Sequence, residues 1–190
     1  MRYRILSFGF SLYLIVSAVL TFPSHTRAAA SIQGLHVSGT MILNSDNQPI
    51  RLLGVDRSGG EFACVQGKGI WDGPMDAGAV QAMAAWKINA VRVPLNEDCW
   101  LDINGVDPTY SGSNYRQAVV GYVNLLNSNG LVAILDLHWN APGTAQATGQ
   151  QPMPDNDHAP AFWTSVASAF KSNSSVIFDL YNEPYPCLLY

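Results

Sequence analysis

Charged side chains are scarce in this sequence of 190 residues. Only 13% of the residues are Asp, Glu, Lys or Arg, whereas 48% are hydrophobic. Because disordered chains are polar and strongly charged, this composition predicts a folded chain with a core. Basic residues are the scarcer kind, with 10 Lys and Arg against 14 Asp and Glu. That balance disfavours nucleic acid and anionic membranes as partners, since both are bound by clustered cations.

Motifs for cofactors and metals are also missing. No G-x-G-x-x-G follows the first predicted strand and no G-x-x-x-x-G-K-[ST] occurs, so neither dinucleotide nor P-loop nucleotide binding is predicted. The three cysteines, Cys64, Cys99 and Cys187, form no C-x-x-C pair, and the histidines form no cluster. We therefore expect no metal and no cofactor. Cys64 and Cys99 each fall in a loop after a predicted strand, so they form either a disulfide or two unrelated buried thiols.

The first thirty residues have the three-part pattern of a secretory signal peptide. A cationic start, 1–4, precedes an apolar run at 5–22, and Ala28-Ala29-Ala30 supplies small side chains for signal peptidase. A membrane anchor is the alternative, because the run approaches the length that spans a bilayer. Serines within the run and the Ala-x-Ala end favour cleavage. We therefore expect a secreted chain with one domain over 31–190, no membrane association after cleavage, and a net charge of −7.

Hydrophobic periodicity after residue 35 predicts alternating strands and helices. Extended pieces at 41–43 and 50–55 flank a turn at 44–47, which predicts a short N-terminal β-hairpin. Further strands are predicted at 89–95, 131–138 and 175–182. Helices are predicted from a cap at Asp76 to about 87, at 114–128 with a stop at Asn129-Gly130, and after a cap at Asp157. This order predicts a parallel sheet, either open and doubly wound or part of a (β/α)₈ barrel.

Polar residues follow the apolar parts of three successive predicted strands. Arg92 lies near the end of the first, His138 ends the second, and Asn182-Glu183 ends the third. Each residue alone is typical of a structural ion pair, a core imidazole or an ordinary strand exit. Because the carboxyl ends of parallel strands form the rim where ligands bind, the three together predict a functional site. The long loop at 139–157 is also expected to be functional or lid-like.

These residues resemble glycoside hydrolase family 5, the large cellulase and mannanase family of the (β/α)₈ clan. The matching pieces are Val91-Arg92-Val93-Pro94, Asp136-Leu137-His138-Trp139 and Phe178-Asp179-Leu180-Tyr181-Asn182-Glu183-Pro184. The likeness covers most of residues 35–186 and the N-terminal half of such a domain. It implies an α/β fold, a (β/α)₈ TIM barrel truncated after about strand four. It also implies a retaining hydrolase of a β-linked polysaccharide or oligosaccharide, monomeric when complete.

The resemblance also implies a role for each matching residue. Glu183 would be the general acid/base, and Asn182 would hydrogen-bond the sugar 2-hydroxyl. Arg92 would orient and tune the nucleophilic carboxylate, and His138 would hold a substrate hydroxyl in the −1 subsite. Trp139 is either a stacking platform for a sugar ring or plain packing at the rim.

The sequence departs from the family where the second carboxylate is needed. Retaining hydrolysis uses two carboxyl groups about 5–5.5 Å apart, and the family places the nucleophilic glutamate on strand seven. The glutamates here are Glu61, Glu97 and Glu183, and none follows Glu183. Asp56 is expected to line the floor of the pocket, and nothing in the sequence assigns it the role of nucleophile. We hypothesise that the chain is a truncated gene product, inactive by itself and marginally stable because half a barrel exposes apolar strand faces.

Two other interpretations remain open. The chain could be a non-catalytic carbohydrate-binding fragment that uses Trp139, Trp100 and Trp163 as platforms, although Trp163 is expected to face the core beside Phe162. It could also be a half-barrel that dimerises to rebuild eight strands, with two copies of Glu183 and no nucleophile.

Overall fold

The computed structural model describes residues 32–185. The export segment predicted at 1–30 and Cys187 lie outside this range. No helix within it is long and apolar enough to cross a membrane. The elements in chain order are β1 (His36–Ser38), β2 (Met41–Leu43), β3 (Gly54–Asp56), α1 (Ala77–Ala85), β4 (Ala90–Asn96), α2 (Glu97–Leu101), α3 (Gly112–Ser128), β5 (Val132–Trp139), α4 (Ala159–Phe170) and β6 (Val176–Asp179).

Strands β3 to β6 form one parallel sheet in chain order. Arg92 of β4 lies opposite Ile134 of β5, and Asp136 of β5 lies opposite Asp179 of β6. The parallel sheet predicted from the sequence is therefore confirmed. Each strand lies beside its predecessor, whereas a doubly wound sheet reverses its strand order in the middle. The order is that of consecutive strands of a (β/α)₈ barrel, and these residues form only part of that fold.

The two faces of this sheet differ in chemistry, because successive side chains of a strand point to opposite sides. One face packs against the helices in a single hydrophobic cluster. Its strand members include Val91, Val93, Leu95, Ala133, Leu135 and Leu137, and its helix members include Val80, Val119, Val123, Phe162 and Val166, all fully buried. The opposite face carries Arg92, Ile134, Asp136, His138 and Asp179, so the polar residues of the sheet share one side.

The N-terminal antiparallel pair does not form across the predicted turn. β1 pairs with β2 and Ser38 lies opposite Met41, so the chain reverses at residues 39–40. Across the turn at 44–47, Leu43 makes an isolated bridge to Pro49 and the Ile50 N–H donates to the Ile42 carbonyl at 2.8 Å, so the predicted hairpin is reduced to this short contact. The Asn44 side-chain oxygen accepts the Asp46 and Gln48 backbone N–H groups at 3.0 and 2.8 Å. These bonds close the turn locally, and β3 begins only at Gly54, so 50–53 is not a strand.

A short helix, α2, occupies a stretch that the sequence predicted as loop. The Asn96 side chain accepts the Cys99 N–H at 3.2 Å, and Asp102 ends the helix in a left-handed conformation with φ 62°. Five residues are too few to show a helical period, so only the cap could have indicated α2. Cys99 accordingly lies on a helix, not in a loop.

The predicted helix signals are correct at α1 and α3 but wrong at α4. Asp76 caps α1 by accepting the Ala79 N–H at 2.9 Å, and Gly130, at φ 74°, follows the end of α3. At α4, the side chain of Asp155 rather than Asp157 accepts the N–H groups of His158 and Ala159. Asp157 accepts the Gly143 N–H at 2.7 Å instead, within the loop. Two nearby aspartates compete for the cap, and sequence alone does not rank them.

Cys64 and Cys99 are joined by a disulfide that closes a separation of 35 residues. The bond ties the turns after β3 to α2, and both cysteines are buried. A cross-link of this span restricts the unfolded chain, so the Cys64→Ala/Cys99→Ala variant should lose about 2–4 kcal/mol of unfolding free energy. Urea denaturation of both proteins measures the loss. Dithiothreitol should destabilise the parent and leave the variant unchanged, and equal stability of the two proteins would contradict the prediction.

Two buried tyrosines of α3 differ in the bonding of their hydroxyl groups. Tyr115 Oη donates to the Gly60 carbonyl at 2.7 Å and accepts the Asn96 N–H at 3.1 Å. Tyr122 Oη has no hydrogen-bond partner among residues 32–185. Tyr115→Phe leaves two buried backbone groups unpaired and should cost about 1–3 kcal/mol, whereas Tyr122→Phe removes an unpaired hydroxyl and should cost nothing. Urea denaturation compares them, and equal losses would contradict this assignment.

Candidate active site

The polar face of the sheet is organised around Arg92. Its Nη2 atom lies 2.7 Å from Asp136 Oδ2 and 2.9 Å from Asp179 Oδ2, and Nε lies 3.2 Å from the same Asp179 oxygen. Nη1 lies 3.5 Å from Asp56 Oδ1. The Arg92 guanidinium therefore forms ion pairs with three carboxylates, one from each of three strands. Arg92 is the third residue of β4, not near its end as the sequence suggested, and its long side chain reaches the site from there.

Asp136 is the most deeply buried carboxylate of this group, with a side chain that is 0% exposed. Burial raises its pKa, and this effect is opposed by the His138 hydrogen bond and by the charge of Arg92. Its Oδ1 atom has no hydrogen-bond partner among the described residues. The carboxylate is thus held in a fixed place by two cationic or potentially cationic neighbours.

His138 is oriented by the same carboxylate. Its Nδ1 atom lies 2.8 Å from Asp136 Oδ2, and a carboxylate can only accept, so Nδ1 carries the proton of this bond. In the neutral imidazole, Nε2 is then an acceptor. The side chain is 23% exposed, which leaves the imidazole accessible to a small ligand.

Asn182 joins the network from the segment after β6. It is buried, its backbone N–H donates to the Leu137 carbonyl at 3.0 Å, and its side-chain oxygen accepts from Arg92 Nη2 at 3.0 Å. Its Nδ2 donates to Gln150 Oε1 at 2.9 Å. The amide nitrogen has two hydrogens, so one donor remains for a ligand.

Glu183 lies next to Asn182 on the exposed rim. Its φ is 39°, a left-handed conformation that is strained for a side chain of this size. Gln150 Nε2 donates to both the Asn182 and Glu183 carbonyl oxygens at 2.7 Å, which holds this backbone in place. Asp136 thus joins Arg92 to His138, and Arg92 joins Asn182 to both. The Glu183 carboxylate makes no hydrogen bond to them within residues 32–185.

Asp56 lies at the end of β3, and its side chain is 65% exposed. It lines a cavity of about 250 Å³ together with Arg92, Ile134 and Gly54, at the open edge of the sheet. Glu61, on the turns after β3, is buried and accepts the Gly59 N–H at 2.7 Å. Burial raises the pKa of Glu61, and the nearby Asp136 carboxylate acts in the same direction.

The three tryptophans considered as sugar platforms have different environments. Trp139 is half-buried and packs against Phe62 with ring centroids 6.2 Å apart. Trp163 packs between the rings of Phe162 and Phe178, as expected for a residue beside the core. Trp100 is 0% exposed and donates to Ser165. The interpretation of Trp100 as a carbohydrate platform is therefore wrong, because a fully buried indole offers no face to a sugar.

Three residues of this network were given no role from the sequence. Asp136 and Asp179 stand within the matching pieces, and a strand register places them opposite each other on the polar face. Asp136 could have been found from its spacing of two before His138, which puts both on one side of β5. Gln150 could not have been found from the sequence, because it lies in a loop that has no periodic pattern.

A sequence model described as Cellulase (glycosyl hydrolase family 5) matches residues 43–187. Endoglucanase CelA of Streptomyces lividans is 30% identical over 162 residues, which cover 84% of this chain and 30% of that protein. Endoglucanase MaCel5A of Microbulbifer sp. (strain ALW1) is 26% identical over 79% of this chain and 26% of its own length. The chain thus spans under a third of the length of these curated relatives.

Solved structures show the same fold. The catalytic domain of Thermobifida fusca endoglucanase Cel5A, in complex with cellotetraose, has a TM-score of 0.55 at 22% identity, covering 80% of this chain and 44% of that one. An endocellulase from Pyrococcus horikoshii with cellotetraose has a TM-score of 0.59 at 21% identity, covering 82% and 45%. A β-mannanase from Streptomyces thermolilacinus with mannohexaose has a TM-score of 0.52 at 20% identity, covering 79% and 42%.

Proposed function

Because the chain belongs to glycosyl hydrolase family 5, we propose that it carries the acid/base half of a retaining glycoside hydrolase for β-linked polysaccharides of the cellulase type. The observation that carries this proposal is one hydrogen-bonded network, in which Asp136 joins Arg92 to His138 and Arg92 bonds Asn182, the residue before Glu183. These groups come from β4, from the end of β5 and from the segment after β6, on the side of the parallel sheet where active sites of barrel enzymes lie.

In the proposed reaction, Glu183 gives its proton to the glycosidic oxygen as the bond breaks, and a carboxylate opposite it attacks the anomeric carbon. Glu183 then takes a proton from the water that releases the sugar. The free donor of Asn182 Nδ2 is suited to the sugar 2-hydroxyl, a contact that strengthens as the ring flattens in the transition state. His138 Nε2, held by Asp136 behind it, is suited to accept from a substrate hydroxyl.

The attacking carboxylate is proposed to come from sequence beyond residue 190. No Asp or Glu follows Glu183 in this chain. Asp56, Asp136 and Asp179 are paired with Arg92, which lowers their nucleophilicity. Chain 1–190 alone is therefore proposed to be inactive, a fragment that lacks the nucleophile half.

Trp139 is the proposed sugar platform, since its half-buried ring keeps a face near the rim beside Phe62. Export is proposed as well. A disulfide such as Cys64–Cys99 persists in oxidising compartments, in agreement with the signal pattern at 1–30.

The test is hydrolysis by a protein in which the downstream reading frame supplies the remaining strands. The completed protein should release reducing ends from a soluble β-glucan or β-mannan, and proton NMR should show the β-anomer first, as retention requires. Chain 1–190, assayed beside it as the control, should release none. Appearance of the α-anomer first would overturn the retaining mechanism, and absence of hydrolysis on all β-linked glycans would overturn the proposed function.

A further inference from the structure

A second group of acidic and imidazole side chains lies where β4 ends and α4 begins. Glu97 is the first residue of α2, and Asp155 and His158 immediately precede α4. One donor atom from each lies within 4.8 Å of the other two. We call these three residues the Glu97 cluster.

Two of the three side chains in this cluster have donor atoms without hydrogen-bond partners among the described residues, and these are Glu97 and His158. The Glu97 side chain is 0% exposed, and neither of its carboxylate oxygens has a hydrogen-bond partner among residues 32–185. The same holds for His158 Nδ1. That nitrogen lies 3.9 Å from Glu97 Oε1 and 4.0 Å from Asp155 Oδ1, too far for a hydrogen bond to either.

The cluster also lacks a permanent positive charge. Within the described residues, no Lys or Arg nitrogen lies within 4.0 Å of Glu97 or Asp155. The neighbouring Asp98 is buried as well, although it is satisfied by the Ala147 N–H and the Asn104 amide. The side chains of Glu97 and Asp155 are 0% and 4% exposed, so two carboxylates in this place repel each other with little screening by water. A cation between the two carboxylates would offset this cost.

Asp155 is held in position by a chain of hydrogen bonds. Its Oδ2 accepts from Asn140 Nδ2 at 2.8 Å, and Asn140 Oδ1 accepts from the Tyr181 hydroxyl at 2.7 Å. Its Oδ1 accepts the His158 N–H at 2.7 Å. Groups that orient a ligating carboxylate in this way are typical of metal sites, because they fix the ligand before the ion binds.

We propose that the Glu97 cluster binds one divalent transition-metal ion of the Zn²⁺ class through Glu97, Asp155 and His158 Nδ1. An imidazole with two carboxylates suits this class, whereas Ca²⁺ and Mg²⁺ prefer oxygen ligands alone. Bonds of about 2.0–2.2 Å around tetrahedral zinc put its ligand atoms about 3.4 Å apart. The observed distances of 3.9 and 4.0 Å from His158 Nδ1 to the two carboxylates exceed this value by about half an ångström.

The ion would fasten the loop of 140–158 to the end of β4. Asp155 and His158 close that loop, and Gln150, which holds the backbone of Asn182 and Glu183, lies within it. The site is separate from the glycosidase proposal, because none of its three ligands is assigned to substrate. It was not predicted from the sequence, since Glu97 stands far along the chain from Asp155 and His158.

The test is calorimetric titration of ZnCl₂ into chain 1–190 after dialysis against EDTA. We expect one Zn²⁺ per chain, a higher melting temperature with Zn²⁺, and weaker binding by about 100-fold or more in Glu97→Gln and in His158→Ala. His158→Ala should fold normally, because its ring is partly exposed and makes no hydrogen bond through Nδ1. His36→Ala removes an exposed histidine of β1 and should bind as the parent does.

Three results would overturn the proposal. The first is a folded parent chain, judged by near-UV circular dichroism, that binds no Zn²⁺; a proton shared by Glu97 and Asp155 would then satisfy the pair. The second is unchanged Zn²⁺ binding in His158→Ala with loss in His36→Ala, which would place the ion on the surface. The third is binding of Ca²⁺ in preference to Zn²⁺. Loss of glycosidase activity in the completed protein is not a readout here, so the two proposals fail separately.

Discussion

Replacing Glu183 by glutamine in the completed protein should lower the rate of polysaccharide hydrolysis by about 10²–10⁴-fold. The amide has no proton to give to the glycosidic oxygen, yet it occupies nearly the same space, so binding of substrate should change little. The loss should therefore appear in kcat more than in KM. Rates of reducing-end release from a soluble β-glucan measure both quantities.

The leaving group separates an acid/base role from a structural one. A dinitrophenyl glycoside leaves without protonation, so its first step should remain fast in Glu183→Gln, and added azide should speed release of the trapped intermediate. Asp107→Asn, at an exposed carboxylate of another loop, is the matched control and should keep the parent rate. An equal loss on both kinds of substrate, or full activity of Glu183→Gln, would show that Glu183 is not the acid/base.

Replacing Arg92 by methionine should destabilise the chain by about 3–5 kcal/mol, the usual cost of leaving a buried charge without its partner. The affected charge is Asp136, whose side chain is 0% exposed, and Asp179 loses two hydrogen bonds as well. Burial raises the pKa of Asp136 in the folded protein, so the ionised carboxylate lowers the free energy of unfolding. Without Arg92 this loss is larger. The destabilisation of Arg92→Met should therefore be greatest at a pH above the pKa of folded Asp136, and it should shrink as the pH falls and the carboxyl is protonated.

Urea denaturation at neutral and acid pH measures this effect. Arg51→Met, at an exposed arginine, is the matched control and should change stability by less than about 0.5 kcal/mol. The double variant Arg92→Met/Asp136→Leu should recover part of the loss, because both buried charges are gone. Arg92→Met with parent stability at neutral pH would contradict the assignment of Arg92 as the group that neutralises Asp136.

The parts of the fold that depend on periodicity were predictable. The cores of β4, β5 and β6 and the helices α1, α3 and α4 follow runs of apolar residues that match their period. The grouping of Arg92, His138 and Asn182 was also predicted, although Arg92 reaches the site by its long side chain from the third residue of β4 rather than from the strand end. The bonds of Asp136 to Arg92 and His138 were not predicted, although its spacing of two before His138 puts both side chains on one side of β5.

Features that depend on contacts between distant segments were not predictable. α2 is too short for a period, and the full burial of Trp100 depends on its packing with Tyr115 and Phe162 from two other helices. The choice of Asp155 over Asp157 at the start of α4 depends on Asn140, which positions the former. For Trp100 and for Asp155 the deciding partner lies elsewhere in the chain, where no window of sequence reveals it.

Gln150 has a consequence for loop exchange among members of this family. Its side-chain Nε2 donates to the carbonyl oxygens of both Asn182 and Glu183, so the loop that carries Gln150 holds the backbone after β6 in place. A transplanted loop chosen only to alter glycan preference, without an amide at that position, would release the backbone that carries the proton donor. Glycan preference and the position of the proton donor are therefore coupled in this fold. A loop exchanged to change the preference has to keep an amide side chain at position 150.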